Sequence, residues 1–239
     1  MCMTIKNEHQ FSSFAEINST RSSWNCRAKI IRLWQTSNFN RNTLPFSIEM
    51  VLMDSYGGRI RGTVKTTLIY KFKDELIEGK VYTFEKIEVS PNVGDYRTTH
   101  HSFKLNFKDT TLVQRLFNQD IVRSPYNFVP VGQIVGGSYD TDFLVDVIGI
   151  LIDVGREREI NDQDGTPTKV NVIEIEEDES KIQCYLYGAY VDVLNAFLGA
   201  GHVQNVVVVM MFAKAVAFQD CKIHIQNCLN STYLSFNPF

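Results

Sequence analysis

The sequence predicts an all-β fold with short helices, arranged as two tandem five-stranded barrels. Two observations predict it. A hairpin pattern in the first half returns in looser form about 120 residues later, and the runs flanking the two hairpins follow the same order with nearly the same spacing. The first hairpin is Phe46–Val64, FSIEMVLMDSYGGRIRGTV. Phe46, Ile48, Met50 and Leu52 alternate with polar or outward positions, Asp-Ser-Tyr-Gly-Gly makes the turn, and Ile60, Gly62 and Val64 line the return strand. The second is Val170–Gly188, VNVIEIEEDESKIQCYLYG, with Val172, Ile173 and Ile175, an acidic turn, and then Ile182, Cys184 and Leu186.

The other elements fall into place around the hairpins. Trp24–Trp34 precedes the first as a strand, and Phe143–Val154 precedes the second. Leu68–Leu76, closed by Gly79, and Asp192–Leu198, closed by Gly199, read as short helices that plug a barrel bottom. Val81–Val89 and Val206–Val216 follow as strands. Measured from Trp24, Ile60 stands at +36, Val81 at +57 and Tyr96 at +72; measured from Phe143, Ile182 stands at +39, Val206 at +63 and Phe218 at +75. A drift of a few residues is what loop variation between copies of one fold produces. Strand, hairpin, helical link, strand and hairpin, twice over, suits barrels of the oligonucleotide/oligosaccharide-binding (OB) type. The expected division is 1–110 for the first barrel, 111–128 for a linker and 129–239 for the second. Within the linker stretch Thr111–Phe117 is the place for a short helical turn, and Gly155–Lys169 reads as a long surface loop.

The chain has 239 residues, enough for two domains of about 110–120 residues each. The longest apolar run, Val206–Val216, is broken by Lys214 and falls well short of the roughly 20 residues of a membrane span, so no membrane association is expected. The start, MCMTIKNEHQF, lacks the apolar core of a secretory signal. Five cysteines, never spaced as CxxC, argue against a disulfide scaffold or a zinc ribbon and for a reducing, intracellular compartment. The net charge of −3 hides an asymmetry: residues 1–127 carry 18 Lys+Arg against 12 Asp+Glu, and residues 128–239 carry 6 against 15. The first half attracts a polyanion and the second, as a whole, repels one.

No constellation for catalysis is present. The sequence has no phosphate-binding glycine loop, no GxSxG elbow and no HExxH pair. His100 and His101 are adjacent and point to opposite faces of a strand, His202 lies in a turn, and His224, alternating with Ile223 and Ile225, is expected to face solvent. The run Glu174–Glu179 lacks calcium-loop spacing and reads as a solvated hairpin tip. No catalytic residue, metal site or cofactor is expected, and the protein is read as a non-enzyme.

Binding by stacking and charge is what the residues support. Single-stranded nucleic acid is held by basic side chains along its phosphates and by aromatic rings against its bases, at roughly 1–3 kcal/mol per stacked base. Arg27 and Lys29 alternate with Cys26, Ala28 and Ile30, giving the first strand a basic outer face that continues to Arg32 and Trp34. Arg41 lies in the next loop, and Arg59 and Arg61 lie on the return strand of the hairpin. Tyr96 and Arg97 occupy the loop SPNVGDYRTT. In the second half Tyr187, Lys214 and Phe218 imitate the pattern of the first. Each basic residue taken singly also fits an ordinary solvated charge, and Trp24, at a strand start, fits core packing.

These stretches carry a resemblance. SxWNCRAKIIRLW, FSIEMVLMDSYGGRIRGTV, GKVYTFEKIEVSPNVGDY, FLVDVIGILIDV, CYLYG, AKAVAF and the closing LSFNP resemble the tandem DNA-binding OB domains A and B of the replication protein A large subunit, particularly its divergent plant forms. The resemblance runs from about Phe14 to Pro238. It implies single-stranded DNA lying along both barrels and residence in the nucleus; stacking grooves also accept single-stranded RNA, which stands as the alternative ligand. It places the family's basic strand position on Arg32, its return-strand arginine on Arg61 and its first-domain loop aromatic on Tyr96. The second-domain aromatics fall on Tyr187 and Phe218, with Lys214 as the nearby base. The first domain's other stacking aromatic falls on Lys65, which can meet a phosphate but offers no ring. The family's third, zinc-bearing OB domain has no counterpart in this sequence, so heterotrimer assembly is not expected. The acidic second domain is also a candidate surface for a protein partner.

Overall fold

In the computed structural model, residues 11–38, 42–161, 165–201, 204–217, 222–228 and 230–238 are described. They form two compact units, one of residues up to Val93 together with Thr99–Pro125, the other of Gly94–Thr98 together with Tyr126 onward.

Unit 1 contains β1 (Trp24–Asn38), β2 (Asn42–Met53), β3 (Arg59–Lys65), α1 (Ile69–Phe72), β4 (Val81–Pro91), β5 (Phe103–Asn106) and β6 (Leu112–Arg115). The strand order is β1-β2-β3-β5-β4-β6, and β1 also pairs with β4, which closes a five-stranded barrel. β1 can serve both neighbours because it is long: Trp24–Lys29 pair with β4 and Lys29–Asn38 with β2. Ile30, Met50, Leu52, Ile60, Val64, Phe84, Ile87 and Leu105 point into the core. Gly62 also faces inward, where a Cβ would stand 2.8 Å from the Met50 side chain, so only glycine lets these strands approach. α1 buries Ile69 and Phe72, and Phe72 meets Phe107 edge-on with centroids 5.2 Å apart.

Unit 2 repeats the plan with α2 (Val131–Val135), β7 (Leu144–Val154), β8 (Arg158–Asn161), β9 (Pro167–Glu177), β10 (Ser180–Tyr187), α3 (Ala189–Gly199), β11 (Val207–Ala217), β12 (Ile223–Gln226) and β13 (Tyr233–Phe236). Its order is β10-β12-β11-β7-β9-β8, with β10 also paired to β9 and β13 to β11. β7, β9, β10, β11 and β12 thus stand where β1, β2, β3, β4 and β5 stand in unit 1, down to the one parallel contact, β3–β5 in the first copy and β10–β12 in the second. The expected all-β architecture is observed. α3 plugs the second barrel with Val191 and Leu194. Gly188 leads into it at φ 60°, ψ −129°, a conformation that glycine alone adopts without strain.

The repeat extends to a buried clamp. The fourth barrel strand of each copy has a residue at positive φ, Lys86 (58°) in β4 and Phe212 (54°) in β11. Its N–H donates to a side chain of the first strand, Asn25 Oδ1 at 3.0 Å in one copy and Asp146 Oδ1 at 3.0 Å in the other. Its carbonyl accepts from a buried threonine, Thr111 at 3.3 Å or Thr232 at 3.0 Å. Each threonine also accepts a backbone N–H, from Lys108 or Cys228. A bulge that would otherwise leave buried polar groups open is satisfied in the same way twice. The strand after each threonine, β6 or β13, then pairs with β4 or β11.

Three local expectations are corrected. Thr111–Phe117 is not helical; Leu112–Arg115 form β6, whose exposed and half-buried residues alternate too weakly to mark a strand. Inside Gly155–Lys169, Arg158–Asn161 form β8 against the start of β9, an edge strand exposed at every position and so without an apolar signature. His224 does point outward but is buried, because the Tyr185 ring lies against it. Among the described residues, no helix is long and apolar enough to cross a membrane. Cys26 and Cys184 are buried core thiols, each pushed up to about 12 chiefly by burial, which leaves them protonated and unreactive.

Candidate nucleic-acid interface

Residues paired across neighbouring strands share a face. Outside the core of unit 1 this rule assembles two rows over β1, β2, β3 and β5. Arg32 pairs with Val51, Val51 with Arg61 and Arg61 with Lys104. Trp34 pairs with Glu49, Glu49 with Thr63 and Thr63 with Asn106. The next position on β3 is Lys65, opposite Ser47. Three basic residues from three separate strands therefore line up, with a fourth beside them.

Their surroundings differ. Arg32 reaches Glu78 at 3.2 Å. Arg61 Nε donates to Glu49 Oε2 at 2.8 Å, and that carboxylate also accepts from Ser47 Oγ at 2.8 Å and Thr63 Oγ1 at 2.9 Å. Glu49 is 3% exposed, so Arg61 is held by a buried anion and its position is fixed. Lys104 has no ion pair among the described residues. Its pKa is lowered, first by burial and then by the positive charge of Arg61, with Lys65 adding to the effect. A desolvated lysine crowded by like charges is a place where an anion is stabilising. Lys65 itself is exposed.

The other residues anticipated for the first barrel are placed as follows. Trp34 is 9% exposed, so its ring is largely covered instead of offered as an open stacking surface. Arg59 donates to the carbonyl of Pro125. Arg41 lies outside the described residues. Tyr96 and Arg97 do not belong to the first barrel's unit: Gly94–Thr98 group with unit 2. There the Arg97 guanidinium lies 3.9 Å from the Phe143 ring centre and 2.9 Å from Asp142, and its backbone exchanges hydrogen bonds with Asp142 and Leu144. The correction has a physical cause, since an arginine with a ring on one side and a carboxylate on the other is more stable docked than solvated.

In unit 2 the rows at the equivalent positions read differently. Glu174 pairs with Gln183, and one residue earlier in the β10–β12 register than Cys184 and Ile225 lies His224; these three stand where Val51, Arg61 and Lys104 stand in unit 1. Val172, Tyr185 and Gln226 replace Glu49, Thr63 and Asn106, and Val170 and Tyr187 replace Ser47 and Lys65. The charge asymmetry of the halves thus resolves into a change of chemistry at particular positions, from basic to aromatic. Tyr185 and Tyr187 lie with ring centres 6.5 Å apart and planes 23° apart, and Tyr185 covers His224 at 4.6 Å. The burial that this cover brings lowers the His224 pKa. Lys214 pairs with Gln226, donates to the carbonyls of Asp95 and Thr141, and sits 4.6 Å above the Tyr96 ring. Tyr96 remains 57% exposed. The structure therefore brings Tyr96, Lys214 and Tyr187 into one unit, while Phe218 lies outside the described residues.

Lys104, Glu49 and Tyr185 were not anticipated as part of this face. The alternation of FKLN, with Leu105 inward, puts Lys104 outward, and that of QCYLY puts Tyr185 beside Tyr187, so both were within reach of the sequence. Among the described residues no group of His, Cys, Asp or Glu could hold a metal ion.

A family model described as "Domain of unknown function DUF223" matches residues 15–136, about half of the chain. The chain is 23% identical over 182 residues to a 70 kDa DNA-binding subunit of replication protein A from Arabidopsis thaliana, an alignment covering 74% of this chain and 28% of the relative. It is 24% identical over 161 residues to replication factor A protein 1 of Saccharomyces cerevisiae, covering 63% and 24%. It thus spans about a quarter of the length of these relatives. Among solved structures, a replication protein A heterotrimer bound to single-stranded DNA superposes with a TM-score of 0.61 at 18% identity, covering 95% of this chain and 52% of that one. The HIN1 domain of p202 in complex with a 12-mer double-stranded DNA gives 0.51 at 10% identity, covering 95% and 100%. The chain therefore belongs to the DUF223 family, and its homologues are the large subunits of replication protein A from plants and yeast.

Proposed function

We propose that the protein binds single-stranded DNA with little sequence preference, by two OB barrels in tandem divided near Pro125, and acts without catalysis in nuclear DNA replication, repair or recombination. The observation that carries this reading is the alignment of Arg32, Arg61 and Lys104 across three strands of unit 1, with Lys65 beside them. The relatives are DNA-binding subunits by name, and a replication protein A heterotrimer bound to single-stranded DNA shares the fold. In physical terms, Lys104 and Lys65 displace the counterions condensed on the phosphates they meet, and the approach of an anion relieves the repulsion between Lys104 and Arg61. Unit 2 adds rings.

Fluorescence anisotropy of the whole chain with a labelled thymidine oligonucleotide across a salt series tests it. Lys104→Gln and Lys65→Gln should each weaken binding about 3- to 10-fold and flatten the salt dependence by about one counterion. Absence of binding at low salt, or wild-type affinity in both variants, refutes the reading. Competition by a matched RNA oligomer separates DNA from RNA preference. One observation favours a second reading, in which unit 2 docks a basic protein: Asp153 and Glu174 are register partners, with Glu176 on the same strand as Glu174. That reading wins if the chain binds no nucleic acid at low salt.

A further inference from the structure

We infer that Tyr185, backed by His224, is a base-stacking residue adjoining Tyr187, so that unit 2 holds unpaired bases through rings while unit 1 supplies the charge. The inference rests on the proposed single-stranded DNA binding and assigns a subsite within it.

Three features support it. Tyr185 and Tyr187 are two residues apart on β10 and therefore share a face, and their planes differ by only 23°. Ring centres 6.5 Å apart leave each tyrosine room to carry its own base, and the neighbouring nucleotides of an extended strand are separated by a similar distance. His224, from the parallel strand β12, supports Tyr185 at 4.6 Å with planes 56° apart, an arrangement that fixes the tyrosine. Both tyrosines are half-buried, so each keeps some exposed area for a ligand.

The chemistry of the border agrees. The positions that carry Arg61 and Lys104 in unit 1 carry Gln183 and His224 here, and Glu174 is the neighbour of Gln183. A phosphate gains little at those positions, whereas a base, uncharged and flat, loses nothing by lying near them. Lys214, a register partner of Gln226, is held by two carbonyls, and Arg158 stands opposite Val170, the register partner of Tyr187, so two cations border the rings. Stacking is sequence-tolerant because every base has a flat face, and it is nearly independent of salt because no counterion is released.

The test uses the full chain and a fluorescein-labelled oligothymidylate of about 20 nucleotides, long enough for two barrels. Tyr185→Leu should weaken binding about 5- to 20-fold at every salt concentration while the slope of log affinity against log salt stays that of the wild type. Tyr185→Phe, which keeps the ring, should bind as the wild type does. Lys104→Gln serves as the opposite control, with a flatter slope. If Tyr185→Leu departs from the wild-type circular dichroism, Tyr185→Gln carries the same test, because Gln183 and Gln226 already occupy neighbouring surface positions. Wild-type affinity in the leucine or glutamine variant overturns the inference, as does equal loss in Tyr185→Phe. A wild-type chain that binds no oligonucleotide refutes the proposed function itself, an outcome distinct from either.

Discussion

Replacing Glu49 with alanine should unfold unit 1 at a much lower urea concentration. The carboxylate is 3% exposed and satisfies Ser47, Arg61 and Thr63 at 2.8–2.9 Å. Breaking a buried ion pair by removing one partner costs about 3–5 kcal/mol, because the other charge is left without compensation. The Arg61 side chain is 21% exposed and can turn towards water, which places the expected cost at the lower end, about 3 kcal/mol. With a denaturant slope of about 1–2 kcal/mol/M for a domain of this size, the midpoint should fall by about 1.5–3 M. Glu49→Gln keeps the acceptor oxygen and the shape, and should cost about 1–2 kcal/mol. The assay is specific to unit 1, since both tryptophans of the chain, Trp24 and Trp34, lie in it and Trp34 is the register partner of Glu49. A midpoint for Glu49→Ala within about 0.3 M of the wild type, at unchanged slope, refutes the network as a stabilising element. Arg61→Ala would strand Glu49, so affinity lost in that variant mixes unfolding with a lost contact.

Two further outcomes follow from the structure. Thr111→Val, which is isosteric, should lower the tryptophan-detected urea midpoint of unit 1 by the equivalent of about 2–3 kcal/mol, whereas Thr232→Val should leave that transition in place and destabilise unit 2 alone, seen in its tyrosine circular dichroism. The lowered pKa of His224 means that the unfolded chain takes up a proton first as pH falls below the ordinary value of 6.5, so stability is full above that pH and declines below it; His224→Phe should show a smaller loss of melting temperature between pH 7 and pH 5.

How far the sequence could be read depended on whether a feature was written in the core. Alternation along Phe46–Val64 and Val170–Gly188 marks both hairpins where they stand, with Ile48, Met50, Leu52, Ile173, Ile175 and Ile182 in the cores, whereas Phe46 is exposed and Val172 takes the outer row. β6 and β8 escaped because strands at a sheet edge bury little and need no apolar period. The outer faces were harder. Period-two alternation tells which side of a sheet a residue takes, and says nothing of what covers it there. Glu49, Trp34 and His224 all point outward as their neighbours require, and all three are buried. Arg97 was legible as a loop cation, but its docking against Phe143 and Asp142 joins positions about 45 apart in sequence, beyond any local pattern.

The clamp built by Asn25, Lys86 and Thr111, and again by Asp146, Phe212 and Thr232, involves no residue of the basic or aromatic rows. The clamp and the residues that would touch a ligand are thus inherited on separate positions. After a duplication, selection could rewrite Lys104 as His224, or Lys65 as Tyr187, without endangering the scaffold, whereas Arg61 and Thr63 could become Gln183 and Tyr185 only together with the buried Glu49, whose place Val172 takes in the second copy. Two descendants of one barrel can in this way divide a single task, one by charge and the other by rings, and a designer could graft either set of rows onto either copy.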